Sequence, residues 1–258
     1  RYYSTRSRVY KGLAADFDGT LAWIAKRDDG PPDMVMSRLS ELLKKGCVLV
    51  VLTGRGRSII PFFKHLVNRK HCICLCLYNG AKIVQLGTDL VIFEKSLQKS
   101  QEIYNSISSD TVLTSLIKRI DVKEYGIQLF PKEGALGHAF SQARMLIKKH
   151  GFNKLVNISS SGWTIDITPK DIDKKRALDI VIKFINRNLK GNDFLKLGDQ
   201  GHYGGNDFQL LKRRHSFSVN TISGDPNSCF PVVDPTGRRL VGPQATSFVL
   251  ARTAFKGP

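Results

Sequence analysis

The sequence predicts an α/β protein, a doubly wound parallel sheet of Rossmann-like type interrupted by a separate α+β lobe. Three observations carry that expectation. Short apolar runs alternate with amphipathic stretches in a β-α-β-α-β rhythm over residues 9–78, which favours right-handed crossovers and parallel pairing. The run Val48-Leu49-Val50-Val51-Leu52 is apolar at every position, as a strand covered on both faces requires. Between residues 82 and 168 the rhythm gives way to hairpins interleaved with two helices, and the core pattern then resumes. The expected division is a core of residues 1–81 and 169–258 with an inserted α+β cap at 82–168.

Each element has a local reason. Residues 9–15 read as the first core strand, ending at Asp16. Pro31-Pro32-Asp33 starts a helix with the apolar stripe Val35, Leu39, Leu42 and Leu43, and Gly46 stops it. After Val48–Leu52 comes Thr53-Gly54-Arg55, then a helix marked by Ile59, Phe62, Phe63 and Leu66, and a strand over 72–78. Past Asn79-Gly80, residues 82–84 and 90–94 form a hairpin across Gly87-Thr88-Asp89. A helix over 103–120 is expected next, then a strand at 126–130 and a helix over 140–149 stopped by Gly151. Residues 155–159 and 163–167 make a further strand pair. The core resumes with a helix lined by Ala177, Ile180, Val181, Phe184 and Ile185, and a strand at 194–197 leads to Asp199. A short helix begins at 208–211, and a last strand lies at 217–219.

The charge is unusual. Forty basic residues against 22 acidic give a formal +18. Such an excess favours anionic partners: nucleic acid, acidic membrane surfaces or phosphorylated substrates. The basic pairs are scattered along the chain, and each alone reads as a solvated face. No apolar run has the length of a membrane-spanning helix, so no membrane partner is expected. Three of the five cysteines, Cys72, Cys74 and Cys76, alternate along one strand and share a face. C-x-C-x-C lacks zinc spacing, so they read as small buried hydrophobes in a reduced, intracellular compartment. The chain has no initiator Met, implying processing or trimming. Its basic, acid-free start, Arg1 to Arg8, resembles the end of a mitochondrial transit peptide. A basic arm of arbitrary origin is the equal alternative; the expected location is intracellular, with the mitochondrial matrix as the finer reading.

Two acidic pairs carry the chemistry. Asp16 and Asp18 lie in Ala15-Asp16-Phe17-Asp18-Gly19-Thr20, and Asp199 and Asp207 follow the apolar run that ends at Leu197. Each pair sits past the carboxyl end of a predicted strand, the edge of a parallel sheet where ligands bind. Four carboxylates converging there repel one another unless a hard, oxygen-seeking cation such as Mg²⁺ sits among them.

With these residues placed, the chain resembles the haloacid dehalogenase superfamily of phosphohydrolases, in the branch of Cof-type and sucrose-phosphatase-like enzymes. Asp16-Phe17-Asp18-Gly19-Thr20 matches the first of that family's motifs, Thr53-Gly54-Arg55 the second, Lys174 the third, and Asp199 with Asp207 the fourth. The resemblance frames nearly the whole chain, and a cap between the second and third motifs is typical of this branch. Tyr78-Asn79-Gly80 and Asp166-Ile167-Thr168-Pro169 look like its entry to and exit from the cap.

By this resemblance Asp16 would attack phosphorus, forming an aspartyl-phosphate that splits one hard step into two. Asp18 would protonate the leaving oxygen and later take a proton from water. Thr53 would hold a phosphoryl oxygen, with Gly19, Thr20, Gly54 and Arg55 contributing to substrate binding. Lys174 would neutralise the nucleophile and phosphate. Mg²⁺ would be held by Asp16, Asp199, the backbone carbonyl of Asp18, and Asp207 directly or through water.

Blander readings stand beside these. Asp207 precedes Phe208 and could be only a helix cap. Lys175 neighbours Lys174, but the run from Pro169 to Lys174 favours Lys174. A loop His such as His202 is more often solvated than bound to substrate. The fourth motif is also stretched, with residues 200–206 standing between its aspartates. That glycine-rich segment either loops out and restores Asp207 or leaves it off the metal.

The leading functional reading is a Mg²⁺-dependent phosphatase on a phosphorylated small molecule such as a sugar phosphate. The alternative is a basic structural or accessory component of a mitochondrial ribonucleoprotein, binding RNA. A nucleic-acid 3′-phosphatase ranks last, because a large cap blocks polymeric substrates.

Overall fold

The structure, a computed structural model, describes residues 7–26, 28–88, 90–185, 188–225 and 228–258. Residues 1–6 of the basic arm and Asp89 of the hairpin turn therefore lie outside the described residues. Strands and helices in chain order are β1 (Val9–Tyr10), β2 (Gly12–Asp16), α1 (Asp33–Lys44), β3 (Val48–Leu52), α2 (Ile60–Phe63), β4 (Cys72–Leu77), β5 (Lys82–Gln85) and β6 (Leu90–Glu94). Next come α3 (Ser100–Ser108), α4 (Thr111–Leu116), β7 (Ile117–Lys123), β8 (Gly126–Pro131), α5 (Leu136–Lys149), β9 (Val156–Ser160) and β10 (Ile165–Pro169). The chain then returns through α6 (Lys174–Ile185), β11 (Phe194–Gln200), α7 (Phe208–Leu211) and β12 (Ser216–Thr221). It closes with β13 (Phe230–Val233), β14 (Arg239–Leu240), α8 (Gly242–Ala251) and β15 (Ala254–Phe255).

The predicted doubly wound core is present. A nine-stranded sheet has the order β14-β13-β12-β11-β2-β3-β4-β5-β6. The strands from β13 through β4 run parallel, and β14, β5 and β6 are antiparallel at the edges. Alternation along the strands divides the core in two. Leu13, Ala15, Leu49, Val51, Ile73 and Leu75 pack on one face with Val35, Leu39 and Val249 of α1 and α8. Ala14, Val48, Val50 and Leu52 pack on the other with Ala177, Leu178 and Val181 of α6. Cys72, Cys74 and Cys76 share that second face and are buried, as their alternation predicts.

A second, four-stranded antiparallel sheet, β7-β8-β10-β9, covers the carboxyl edge of the first. One of its faces packs Ile127, Leu129, Ile165 and Ile167 against Ile103, Leu113, Ala143 and Leu146 from α3, α4 and α5. Among the described residues no helix is long and apolar enough to cross a membrane.

Several expectations are corrected. The hairpin placed at the start of the cap, β5 with β6, is hydrogen-bonded to β4 and belongs to the core sheet. The helix expected over 103–120 ends at Ser108. The Asp110 side chain accepts the Leu113 N–H at 2.7 Å and caps a new, short helix. From Ile117 the chain pairs with β8 as a strand. The helix around 59–66 is broken into short turns, because Pro61 has no N–H to donate and must sit in a first turn. The strand expected over 9–15 is split at Lys11, and β1 pairs with β15 in a separate two-stranded sheet. The strand at 217–219 is not the last: β13, β14, α8 and β15 follow it.

One core residue makes stability depend on pH. Lys196 of β11 is fully buried, its Nζ donates to the carbonyls of Phe194 (2.8 Å) and Arg214 (2.9 Å), and among the described residues it forms no ion pair. Burial, helped by the charges of Arg213 and Arg8, lowers its pKa from 10.5 to about 7. Between these values the unfolded chain holds more protons than the folded one, so this residue's contribution to stability rises with pH. Lys196→Met is expected to flatten the rise of unfolding free energy between pH 7 and pH 10 relative to the wild type, read by urea titration. An unchanged pH slope in the variant would contradict this.

Candidate active site

The site lies where the strand order reverses. β3 and β4 extend the sheet on one side of β2, and β11 and β12 on the other. The carboxyl ends of β2, β3 and β11 therefore meet at a crevice. Asp16 closes β2, Thr53 follows β3, and Asp199 lies near the end of β11. After Asp16 the chain turns sharply: the Phe17 carbonyl accepts the N–H groups of Leu21 and Ala22, each at 2.9 Å. Gly19 has φ +77°, and a Cβ there would lie 2.6 Å from Asp199 Oδ2. Only glycine allows these two strand ends to approach so closely.

Lys174 opens α6 and is fully buried, whereas Lys175 is exposed. Its Nζ donates to Asp16 Oδ1 at 2.5 Å and Asp207 Oδ1 at 2.7 Å. The other oxygen of Asp207 accepts the backbone N–H groups of Asp199 and Gln200, each at 3.0 Å. The stretched fourth motif thus loops out and returns Asp207 to the cluster. Its excursion lies along the edge of β9, where Ser160 N–H donates to Gly204 O (3.1 Å) and Asn206 N–H to Ser160 O (2.9 Å). Gly198 makes the return possible, since a Cβ there would meet Asp207 Cγ at 2.6 Å.

Asp16, Asp199 and Asp207 each offer a carboxylate oxygen within 4.8 Å of the others'. Burial pushes the Asp16 pKa up to about 8 against the pull of Lys174, with Asp207 and Asp18 adding to the rise. Burial and then Asp16 and Asp207 push Asp199 well above the usual carboxylate range. Burial opposes charge on Lys174, but Asp16 and Asp207 outweigh it and hold the ammonium above its ordinary range. One ammonium among three buried carboxylates leaves the array short of positive charge. All the donors are hard oxygens, so the residues present fit a divalent ion such as Mg²⁺.

In front of this cluster is a cavity of about 190 Å³. Asp16, Asp18, Gly54, Arg55 and Asp199 line it from the core. Arg55 pairs with Asp28 at 2.7 Å and Asp18 at 3.6 Å. Lys174 and Asp207 stand behind the cavity wall. Thr53 is fully buried, its hydroxyl accepting the Arg55 N–H at 3.0 Å, and the Thr20 hydroxyl donates to Asp16 Oδ2 at 3.4 Å. Asp18 contributes no side-chain oxygen to the carboxylate cluster. His202 and Tyr203 do not line the cavity.

The sequence reading missed the cap wall: Arg119, Asp121, Lys123, Gln128, Trp163 and Asp166. It also missed Asn206, which lines the cavity with a buried Oδ1 that has no hydrogen-bond partner among the described residues. Asp166 joins cap to core by accepting from Asn79 Nδ2 at 3.2 Å and Gln128 Nε2 at 2.9 Å. Alternating Arg119, Asp121 and Lys123 signal a one-faced strand, a pattern hidden where the expected helix runs to 120.

Asp207 holds Lys174 and two backbone amides at once, so its removal leaves three buried donors short of an acceptor. Asp207→Ala is expected to cost about 3 to 5 kcal/mol in urea unfolding, and Asp207→Asn less. A loss in Asp207→Ala below about 1 kcal/mol, the range of an ordinary substitution, would show that the cluster does not depend on it.

Comparison with known proteins agrees with this geometry. The family model for haloacid dehalogenase-like hydrolases matches residues 13–124. No curated protein matches the chain in sequence. A HAD/COF-like hydrolase from Plasmodium vivax is 15% identical with a TM-score of 0.71, covering 98% of each chain. The IMP-bound IMP-nucleotidase of Plasmodium falciparum is 16% identical with a TM-score of 0.67, over 95% of this chain and 68% of its own. A HAD subclass IIB sugar phosphatase is 16% identical with a TM-score of 0.60, over 85% of this chain and 92% of its own. At these identities the solved structures speak for the fold, and the matched segment, with its strand-end aspartates, speaks for the family. The family match to haloacid dehalogenase-like hydrolases covers residues 13–124, and the whole chain shares the fold of the capped hydrolases it resembles.

Proposed function

We propose that the chain is a Mg²⁺-dependent phosphatase that hydrolyses a small phosphate monoester, such as a sugar phosphate, through an aspartyl-phosphate on Asp16. The observation that carries this is the buried Asp16, fixed by the Lys174 ammonium at 2.5 Å and facing a cavity roofed by the cap. Lys174 opposes the protonation that burial favours at Asp16, and a divalent ion beside it would oppose it further, so that a carboxylate would stand ready to attack phosphorus. Asp18, two residues on and beside Arg55, is placed to protonate the leaving oxygen and then take a proton from the hydrolytic water. Arg55 and the backbone around Gly54 would bind the phosphoryl group, and Thr53 would support them from behind.

Asp16, Asp199 and the Asp18 carbonyl would hold Mg²⁺, with Asp207 orienting the group through Lys174 and the two amides. Bound there, the ion would offset the charge that keeps an anionic nucleophile from an anionic phosphate. We take the cap as residues 95–169, and its polar face would exclude bulk water from the reacting centre. A sugar phosphatase and an IMP-nucleotidase share this fold, which agrees with a small phosphorylated substrate. The comparisons lend no support to the RNA and ribonucleoprotein alternative. A mitochondrial matrix location rests on the composition of residues 1–8 alone.

Asp16→Asn keeps shape and removes the attacking charge, so turnover on a panel of phosphate esters should fall by several orders of magnitude while the circular dichroism spectrum is unchanged. Near wild-type hydrolysis by this variant would sink the mechanism. EDTA should abolish activity and Mg²⁺ restore it, with Ca²⁺ a poor substitute because its looser shell misplaces the nucleophile. Asp199→Ala should raise the Mg²⁺ concentration needed for half-maximal rate more than Asp207→Ala does, since both oxygens of Asp207 are already engaged. The opposite order would make Asp207 a principal ligand.

A further inference from the structure

The cap sheet presents one face to the site, and its charges are not evenly matched. The bulge between Ile117 and Arg119 sets Arg119, Asp121 and Lys123 together on the cavity side of β7. Arg119 is satisfied within the cap, with Nε 3.0 Å from Asp121 Oδ1 and its guanidinium 3.9 Å from the Phe130 ring centre. Asp166 is held by Gln128 and Asn79, and Arg55 by Asp28 and Asp18.

Lys123 is the exception. Among the described residues it forms no ion pair. Its Nζ donates to the neutral Oε1 of Gln128 at 2.5 Å. Gln128 is fixed in turn because its Nε2 donates to Asp166, so the ammonium is positioned by a hydrogen-bonded chain that ends at Asn79 in the core. The β8 residue paired with Lys123 is Gly126, which puts no side chain beside it. Lys123 is half-buried, and burial lowers its pKa. Asp121 and Asp166 act on it only from beyond ion-pair contact, and a cation partly stripped of water, lining a cavity and not directly paired, is a receptor for an anion.

Resting on the phosphatase reading, we propose that Lys123 is a specificity-determining residue that receives a second anionic group, a carboxylate or phosphate, on the part of the substrate away from the reacting phosphoryl group. The cavity is small, about 190 Å³, and both Asp16 and Lys123 line it. A molecule that fills it with a phosphoryl group at Asp16 therefore brings its far end to Lys123. The preferred substrate class is a small doubly anionic phosphate ester in place of one with a neutral tail.

The test compares three esters that differ at the far end: glucose 6-phosphate, 6-phosphogluconate and glucose 1,6-bisphosphate. A charge-assisted hydrogen bond in a half-buried site corresponds to roughly ten- to a hundredfold in kcat/KM. The full chain with Mg²⁺ should favour the two doubly anionic esters by about that factor, mainly through KM. Lys123→Gln retains a hydrogen-bonding group for Gln128 but carries no charge, and should collapse the preference. Lys123→Arg should keep most of it. No preference in the wild type, or equal losses on all three esters in Lys123→Gln, would overturn the proposal. Failure to hydrolyse any ester would count against the phosphatase reading instead. Calorimetric binding of the same three compounds to Asp16→Asn, with and without Lys123→Gln, would still decide the role of Lys123: the ratio of Kd values must shift between the two proteins for the proposal to stand.

Discussion

The buried ammonium of Lys174 ties the molecule's halves of chemistry together. It sits between Asp16 and Asp207 with no exposure to water. A lone buried charge costs several kcal/mol, and each of these three is tolerable only because the others are present. The arrangement requires the end of β2, the start of α6 and the return of the loop after β11 to converge within hydrogen-bond reach. Gly19 and Gly198 are the concessions that convergence demands, since a side chain at either would collide with Asp199 or Asp207. Among the described residues Asp199 forms no ion pair, and its Oδ2 accepts from the neutral Gln200 Nε2. The same crowding that holds the fold's active edge together therefore creates the demand for a metal.

The cap depends on this edge through two connections. Asp166 accepts from Asn79 and so links the strand leaving the cap to the turn that precedes it. The lengthened loop after Asp199 pairs with Ser160 on β9, so the segment that returns Asp207 to the cluster also meets the cap's outer strand. Asn206 stands at that junction and lines the cavity. The stretched fourth motif does not disable the site; its extra residues connect the metal-binding side of the core to the wall opposite.

Much of this was legible in the sequence where a residue's neighbours are local or periodic. A continuous apolar run marked β3 as a doubly covered strand, and alternation placed three cysteines on one face of β4. Aspartates after such runs marked the reactive edge. Periodicity misled where two patterns coincide. Ile103, Ile107, Leu113, Ile117 and Ile120 fit one long helical stripe, but Asp110 caps a second helix and Ile117 begins a strand. The partner of a hairpin is a tertiary fact, so the hairpin of β5 and β6 reads as cap in the sequence although β5 pairs with β4. Helix α8 (Gly242–Ala251) spreads its apolar residues around the axis and gives no stripe to read. The position of Asp207 rested on how a glycine-rich loop folds, which spacing alone does not determine.

The central claim is that Asp16, held by Lys174 and a divalent ion, is the carboxylate that attacks phosphorus. The most direct measurement is rapid acid quench of the Mg²⁺-loaded protein during turnover of a phosphate ester, followed by mass spectrometry of its peptides. The account predicts one acid-stable, hydroxylamine-sensitive phosphoryl group on the peptide containing Asp16, and none in Asp16→Asn. Turnover with no phosphopeptide at any quench time, or with the phosphoryl group on a different residue, would contradict it.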